Sequence, residues 1–130
     1  MDSISKLFDL AKQTRLNAYA PYSKFKVGAA ILTSNGNFYT GCNVENASYP
    51  CGTCAEAGAI AAMIAGGDTK IAQILIMADT ECILPCGNCL QKIAEFGHAD
   101  TLIHSADTDK IVKTQKLCDI LPQAFTLMEK

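Results

Sequence analysis

The sequence predicts one α/β domain with a mixed β-sheet, covering residues 1–130. A length of 130 residues suits a single hydrophobic core. Apolar residues make up 49% of the chain, which is enough to fill such a core. Segments with helical periodicity also alternate with short, β-rich apolar runs, and this alternation is typical of layered α/β folds.

The first part of the chain is predicted to form a helix followed by a β-hairpin. Apolar residues recur at helical spacing from Ser3, the expected N-cap, to about Tyr19, and Pro21 ends the segment. Strands are expected at 26–33 and 38–44. The sequence SNGN between them is a hairpin turn signal.

The second part is predicted to alternate helices and strands. The segment 54–67 is rich in alanine and nearly free of charge, so we expect a helix that is buried on most sides and ends at its two glycines. A second helix is expected to start near Cys86 and stop near Gly97. Further strands are predicted at 70–78, 101–105 and 110–115, and a last helical turn begins near Leu117.

Composition excludes several classes of partner. The net charge is −2 and the lysines and arginines are scattered, so no basic stripe suits a phosphate backbone. No apolar run approaches the roughly 18 residues of a membrane span, and the N-terminal segment does not resemble a signal peptide. Seven cysteines, an odd number, argue against a disulfide framework. We therefore expect a cytoplasmic protein without nucleic-acid or membrane partners.

Two C-x-x-C pairs, Cys51 with Cys54 and Cys86 with Cys89, indicate a metal site. Cys54 and the second pair lie at predicted helix starts, where free N–H groups and partial positive charge favour thiolates. Thiolate ligands in this number favour zinc. Four bound cysteines would form a closed structural site, whereas three would leave a position for water.

Spacing favours the three-cysteine arrangement. A zinc ribbon usually separates its pairs by roughly 15–20 residues, whereas 31 residues separate Cys54 from Cys86. Cys51 lies in a predicted loop after Pro50, which makes Cys54 the better-placed ligand. Glu56 follows two residues later, where a carboxylate can transfer protons between water and a substrate nitrogen. The alternative for Glu56 is an acidic residue that stabilises a helix N-terminus.

Beyond these residues, the chain resembles the zinc-dependent cytidine deaminases in their three-cysteine form. C-A-E followed by P-C-x-x-C matches the signature of these enzymes. The resemblance extends through PYSKFKVGAA, GCNVENASYP, CAEAGAI, PCGNCLQ and ILPQAF, in the family's order. It implies a three-layer α/β/α fold with about five strands. It also implies hydrolysis of cytidine and 2′-deoxycytidine to the uridines, in pyrimidine salvage.

The resemblance further implies roles at the metal. Cys54, Cys86 and Cys89 would hold one Zn²⁺ per subunit. A zinc hydroxide would attack C4 of the pyrimidine while Glu56 shuttles protons. The Ala55 N–H would bind the base carbonyl, and the Leu84 carbonyl would hold the amino group.

Two further groups of residues follow from the resemblance. Asn43 and Glu45 would bind the ribose 3′-hydroxyl and Phe25 would line the nucleoside pocket. Without the family, these residues are equally explained as turn formers and core.

The remaining substrate-binding positions are implied to act between subunits. The enzymes of this length are homotetramers, in which Ala47, Tyr49 and Phe125 would contribute to a neighbouring subunit's site. The aromatic pair is alternatively explained as covering a core edge. Part of the alanine-rich helix would also meet another subunit.

Two rival functions stay open at this point. A deaminase of a modified nucleoside, of the blasticidin S type, shares the zinc motif but lacks the full NVENASYP loop. A non-catalytic zinc module would use all four cysteines for folding and Glu56 as a helix-end charge.

The sequence departs from many relatives beside the predicted metal. Ala57 and Leu90 stand where such relatives carry arginines, and Arg15 is the sole arginine of the chain. Zinc with three thiolates has a formal charge of −1, which nearby arginines would offset. We therefore predict a higher pKa for zinc-bound water than in relatives that have both arginines.

The acid limb of kcat/KM against pH measures this difference. We expect activity to saturate at a higher pH than in a relative with both arginines, assayed in the same buffers. Full activity at pH values where that relative is still rising would contradict the prediction.

Overall fold

The computed structural model describes residues 2–127, and these residues form four helices and five strands. The helices are α1 (Ser3–Arg15), α2 (Ala55–Ala65), α3 (Gly87–Phe96) and α4 (Leu117–Ile120). The strands are β1 (Val27–Thr33), β2 (Phe38–Cys42), β3 (Ile71–Ala78), β4 (Leu102–Ala106) and β5 (Ile111–Lys116). This is the predicted order of elements.

The strands form one mixed sheet in the order β2-β1-β3-β4-β5. β3 and β4 are parallel, because α3 crosses over the sheet between them. The other neighbouring pairs are antiparallel. The mixed, five-stranded sheet confirms the prediction.

Helices cover both faces of the sheet. On one face, Leu7 and Ala11 of α1 pack on Ala30, Leu75 and Met77, and all five are fully buried. On the other face, α2 and α3 pack on the opposite side chains of the same strands. Their shared core includes Ala29, Ile31, Ala59, Met63, Ile74, Ile76, Ile93 and Ile103. The expected three-layer α/β/α arrangement is therefore confirmed.

The first helix differs from its prediction at both ends. Asp2, not Ser3, is the N-cap, because its carboxylate accepts the Ser5 N–H at 2.7 Å. The helix ends at Arg15 rather than near Tyr19. Tyr19 instead bonds to the loop after β2, since its N–H donates to the Asn43 carbonyl at 3.0 Å.

One expectation about α2 is wrong for the single chain. Its inner face is buried, but Ala61, Ile64 and Ala65 are exposed on its outer face. Its apolar sequence therefore leaves a solvent-facing apolar surface on this chain. None of the helices in residues 2–127 combines the length and the apolarity that a bilayer span needs.

Two glycines set the closest approach of helices to the sheet. A Cβ at Gly41 would lie 2.2 Å from the Ala59 nitrogen and 2.5 Å from the Ala55 carbonyl oxygen, so β2 contacts the backbone of α2. A Cβ at Gly28 would lie 2.3 Å from the Ala11 carbonyl oxygen of α1, on the opposite face.

The two glycines provide a matched pair of substitutions. Gly41→Ala and Gly28→Ala should each lower the free energy of unfolding by about 1–3 kcal/mol, because backbone must move to admit the methyl group. Only Gly41→Ala displaces the start of α2 beside Cys54, so we expect it alone to lower zinc bound per folded chain. Denaturant unfolding and metal analysis measure both quantities. Equal zinc content in the two variants would contradict this local coupling.

Candidate functional site

Cys54 is placed by the loop that leads into α2. The N–H groups of Val44 and Thr53 each donate to the other residue's carbonyl at 2.9 Å, which fixes the chain just before Cys54. Cys54 is the N-cap of α2, with extended backbone, and its sulfur accepts the Ala57 N–H at 3.4 Å. The free N–H groups of the first helical turn therefore face this thiol.

Cys89 reaches the same point from the start of α3. Cys86 is the N-cap of this helix, and Cys89 lies within its first turn, where it is buried. The Cys54 and Cys89 sulfurs are 2.9 Å apart. The two helix starts thus bring together side chains that lie 35 residues apart in the chain.

Glu56 completes a compact group of potential metal ligands. One carboxylate oxygen of Glu56 and the sulfurs of Cys54 and Cys89 all lie within 4.8 Å of one another. We call these three residues the metal group. The Glu56 side chain lies in the first turn of α2 and is buried. Two thiol groups and a carboxylate at this separation suit zinc, which binds sulfur and oxygen ligands in proteins.

The other two cysteines of the predicted motif lie outside this group. Cys86 is exposed at the start of α3, and its sulfur is not within 4.8 Å of all three atoms. Cys51 is exposed in a 3-10 turn, Tyr49–Cys51, and its thiol donates to the Ser48 hydroxyl at 3.6 Å. The structure therefore joins Cys54, Glu56 and Cys89, while a role for Cys86 stays a prediction.

The three grouped side chains strongly affect one another's protonation. The hydrogen bond from Cys89 lowers the pKa of Cys54 to about 5, with help from the Ala57 N–H. The same shared proton raises the pKa of the Cys89 thiol, and burial adds to this effect. Burial also raises the pKa of Glu56, and the Cys54 thiolate raises it further. The site thus combines one thiolate with a carboxyl group disposed to hold a proton.

Lys92 is the cation that acts on this anionic group. It is half-buried on α3, three residues after Cys89, and therefore lies one turn further along the helix. Its charge lowers the pKa of both Cys54 and Glu56. Lys92 thus supplies positive charge beside a site where Ala57 and Leu90 supply none.

Asn43 and Glu45 tie a second loop to the site. The Asn43 amide donates to the Phe25 carbonyl at 2.9 Å and accepts the Val27 N–H at 2.8 Å. The Glu45 carboxylate accepts the N–H groups of Tyr22 and Ser23 at 3.0 and 3.1 Å, and also the Ser23 hydroxyl. These bonds, led by those from Ser23, lower the pKa of Glu45, so the carboxylate stays ionised.

A cavity of about 510 Å³ opens between these loops. This volume lies within the usual range for small-molecule sites. Within residues 2–127, Glu45 is the one charged residue of its lining, which ends at Thr53, directly before Cys54. The cavity is lined by Tyr22, Ser23, Asn43, Val44, Glu45, Asn46, Tyr49, Gly52 and Thr53.

Among the other predicted substrate-binding residues, all within residues 2–127, Tyr49 lines this cavity and the rest do not, and they differ in burial. Ala55, the first residue of α2, is fully buried beside the metal group. Leu84 is exposed in the loop between β3 and α3, and Phe25 is exposed in the loop before β1. The three residues expected to act between subunits, Ala47, Tyr49 and Phe125, are all exposed; Tyr49 is 79% and Phe125 70% accessible.

Sequence reasoning missed Tyr22 and Ser23 as cavity residues, and Lys92 as the nearby cation. The segment PYSKFKVGAA contains Tyr22 and Ser23, but the family resemblance gives a role only to its Phe25. No motif includes Lys92, although the sequence places it three residues after Cys89 on the same predicted helix.

The chain matches a known protein family and several of its members. Residues 1–105 match the family model described as the cytidine and deoxycytidylate deaminase zinc-binding region. The chain is 37% identical over 124 residues to a cytidine deaminase of Sporosarcina psychrophila, covering 95% of this chain and 91% of that protein. It is 41% identical over 118 residues to a cytidine deaminase of Mycobacterium tuberculosis, covering 90% and 85% respectively.

Solved structures agree with these matches. A crystal structure of cytidine deaminase from Burkholderia pseudomallei superposes with a TM-score of 0.89 at 40% identity, covering 96% of this chain and all of the other. The M. tuberculosis cytidine deaminase gives a TM-score of 0.85 at 37% identity, covering 98% of this chain and 100% of that one.

Proposed function

The chain belongs to the cytidine and deoxycytidylate deaminase family, and we propose that it is a zinc-dependent hydrolase that deaminates cytidine and 2′-deoxycytidine. The products would be uridine or 2′-deoxyuridine and ammonia. The observation that carries this proposal is the group formed by half-buried Cys54 with buried Glu56 and Cys89.

Zinc binding is supported by the donor set. Cys54 and Cys89 would both bind as thiolates once a cation replaces the proton that they share. Cys86, one turn before Cys89 on α3, would supply the third sulfur, giving one Zn²⁺ per subunit. Bound zinc supplies a Lewis acid that lowers the pKa of water.

Glu56 is proposed to move the protons. Its carboxyl group lies in the metal group and its pKa is raised by burial, which suits a group that both takes and gives protons. It would take a proton from water and deliver it to N3 of the pyrimidine. After water has added at C4, it would take the proton of the new C4 hydroxyl and pass it to the departing amino group, which leaves as ammonia. Burial keeps bulk water from competing for these protons.

The cavity is proposed to bind the nucleoside. The Ala55 N–H is in the first turn of α2, where no intrahelical partner exists, and would bind the base carbonyl. The Leu84 carbonyl would accept from the base amino group. Phe25 would pack against the nucleoside.

Asn43 and Glu45 would bind the ribose 3′-hydroxyl while they hold the Ser23 loop. An ionised carboxylate has about four acceptor positions, and three donors reach Glu45 in this structure. Its negative charge would also disfavour a phosphorylated substrate, which supports a nucleoside rather than a nucleotide.

Exposed apolar groups support association with further copies of this chain, and the proposed assembly is a homotetramer with shared sites. The outer face of α2 and the aromatic rings of Tyr49 and Phe125 are exposed on the single chain. Ala47, Tyr49 and Phe125 would then complete a neighbouring subunit's cavity. A reducing cytoplasm is supported by seven cysteines that form no disulfide and by the need for thiolate ligands. The proposed role in pyrimidine salvage rests on the proposed reaction, which returns cytosine nucleosides to the uridine pool.

A substrate panel tests the proposal. Purified protein would be incubated separately with cytidine, 2′-deoxycytidine, cytosine, CMP and blasticidin S while ammonia release is followed. We expect turnover of the two free nucleosides alone. Glu56→Gln should lower kcat by about 10²–10⁴-fold or more with zinc retained, because a proton-transfer group is lost.

Asp9→Asn, on the exposed side of α1, is the control for the loss of a carboxylate and should leave turnover unchanged. Turnover of blasticidin S alone would favour the modified-nucleoside alternative. If no panel member is deaminated and Cys51→Ser releases zinc, the four-cysteine structural module is the better account.

A further inference from the structure

The Gln91 side chain holds the main chain of Phe125 by two reciprocal hydrogen bonds. The Gln91 amide donates to the Phe125 carbonyl at 2.8 Å, and the Phe125 N–H donates to the Gln91 side-chain oxygen at 3.2 Å. A side-chain amide paired with both backbone groups of one residue fixes its position and its orientation. We name this pair of bonds the Gln91 clamp.

The clamp attaches the C-terminal tail to the helix that carries Cys89. Gln91 lies two residues after Cys89 on α3, and side chains two positions apart on a helix point about 200° apart. Cys89 faces α2 and the metal group, so Gln91 holds Phe125 on the opposite side of α3. The main chain of Phe125 is therefore held on the side of α3 away from Cys89.

The clamp restrains a residue that packing does not. Ile120, Leu121 and Ala124 pack partly against the core beneath α2 and α3, whereas Phe125 is 70% exposed. An exposed ring gains no stability from burial on this chain. Restraint of its backbone is useful where the ring must contact another surface in a defined position. Little conformational entropy is then lost when the contact forms.

We infer that Gln91 is a positioning residue that fixes Phe125 for insertion into the cavity of a second copy of this chain. This inference rests on the proposed function, in which Phe125 completes a neighbouring subunit's site. The cavity provides a surface that suits the ring, because Tyr22, Val44 and Tyr49 line it and are all exposed on the single chain. The clamp would therefore link the helix that carries Cys89 to the substrate affinity of the neighbouring subunit.

The test is a double-mutant cycle on Gln91 and Phe125. Gln91→Leu removes both hydrogen bonds at similar size. We expect KM for cytidine to rise about tenfold, the effect of losing one or two neutral hydrogen bonds, with a smaller change in kcat. Phe125→Ala should raise KM at least as much. Adding Gln91→Leu to Phe125→Ala should raise it no further, because the clamp acts only through that ring.

Amide exchange at Phe125 supplies a readout that does not depend on activity. The Phe125 N–H should exchange faster with solvent in Gln91→Leu than in the parent protein. Gln13→Leu, the same replacement on the exposed side of α1, should change neither exchange nor KM. Should Gln91→Leu fail to fold, Gln91→Met removes the same bonds with an unbranched chain and repeats the cycle.

The outcomes separate this inference from the function on which it rests. Absence of cytidine turnover by the parent protein would overturn the proposed function and the inference together. Parent turnover with a faster-exchanging Phe125 N–H but an unchanged KM would overturn the inference alone. Additive effects of Gln91→Leu and Phe125→Ala on KM would also overturn it, because the clamp would then act by another route.

Discussion

The meeting of two helix starts on one face of the sheet is the contact on which the rest of the site depends. Cys54 begins α2 and Cys89 lies in the first turn of α3, and their sulfurs approach to 2.9 Å. The parallel pairing of β3 and β4 requires α3 to cross that face, so sheet topology and site geometry have one origin. Burying Glu56 against the thiolate then raises the pKa of its carboxyl group.

The loop between β2 and α2 joins this centre to the cavity. Asn43 and Glu45 lie two residues apart in an extended segment that pairs with Tyr19 on one side and Thr53 on the other. Their side chains hold the loop from Tyr22 to Val27, while the same segment pairs with Thr53, the residue before Cys54. One short strand-like stretch therefore sets the relation between the cavity and the metal group.

The order of elements was predictable because local patterns determine it. Apolar periodicity, the SNGN turn and the paired glycines after α2 set most boundaries to within one or two residues. Where two signals competed, local reasoning was wrong: Asp2 and Ser3 are both good caps, and the Asp2 carboxylate is the one that reaches the Ser5 N–H. The apolar periodicity predicts a helix to about Tyr19, but α1 ends at Arg15 and the Tyr19 N–H instead donates to the Asn43 carbonyl.

The site was predictable only as far as motifs extend. C-A-E and P-C-x-x-C identified Cys54, Glu56 and Cys89, whose side chains the structure brings together. The Gln91 clamp and the bonds from Asn43 join residues 16–34 positions apart, and no sequence pattern records such pairings.

We propose that three sulfurs hold zinc while Glu56 remains free to move protons. Zinc K-edge X-ray absorption of the purified holoprotein measures the ligands directly. We expect three sulfur atoms at about 2.3 Å and one oxygen at about 2.0 Å. Four sulfurs would contradict it in favour of a closed structural site, as would two sulfurs with the Glu56 carboxylate as a ligand.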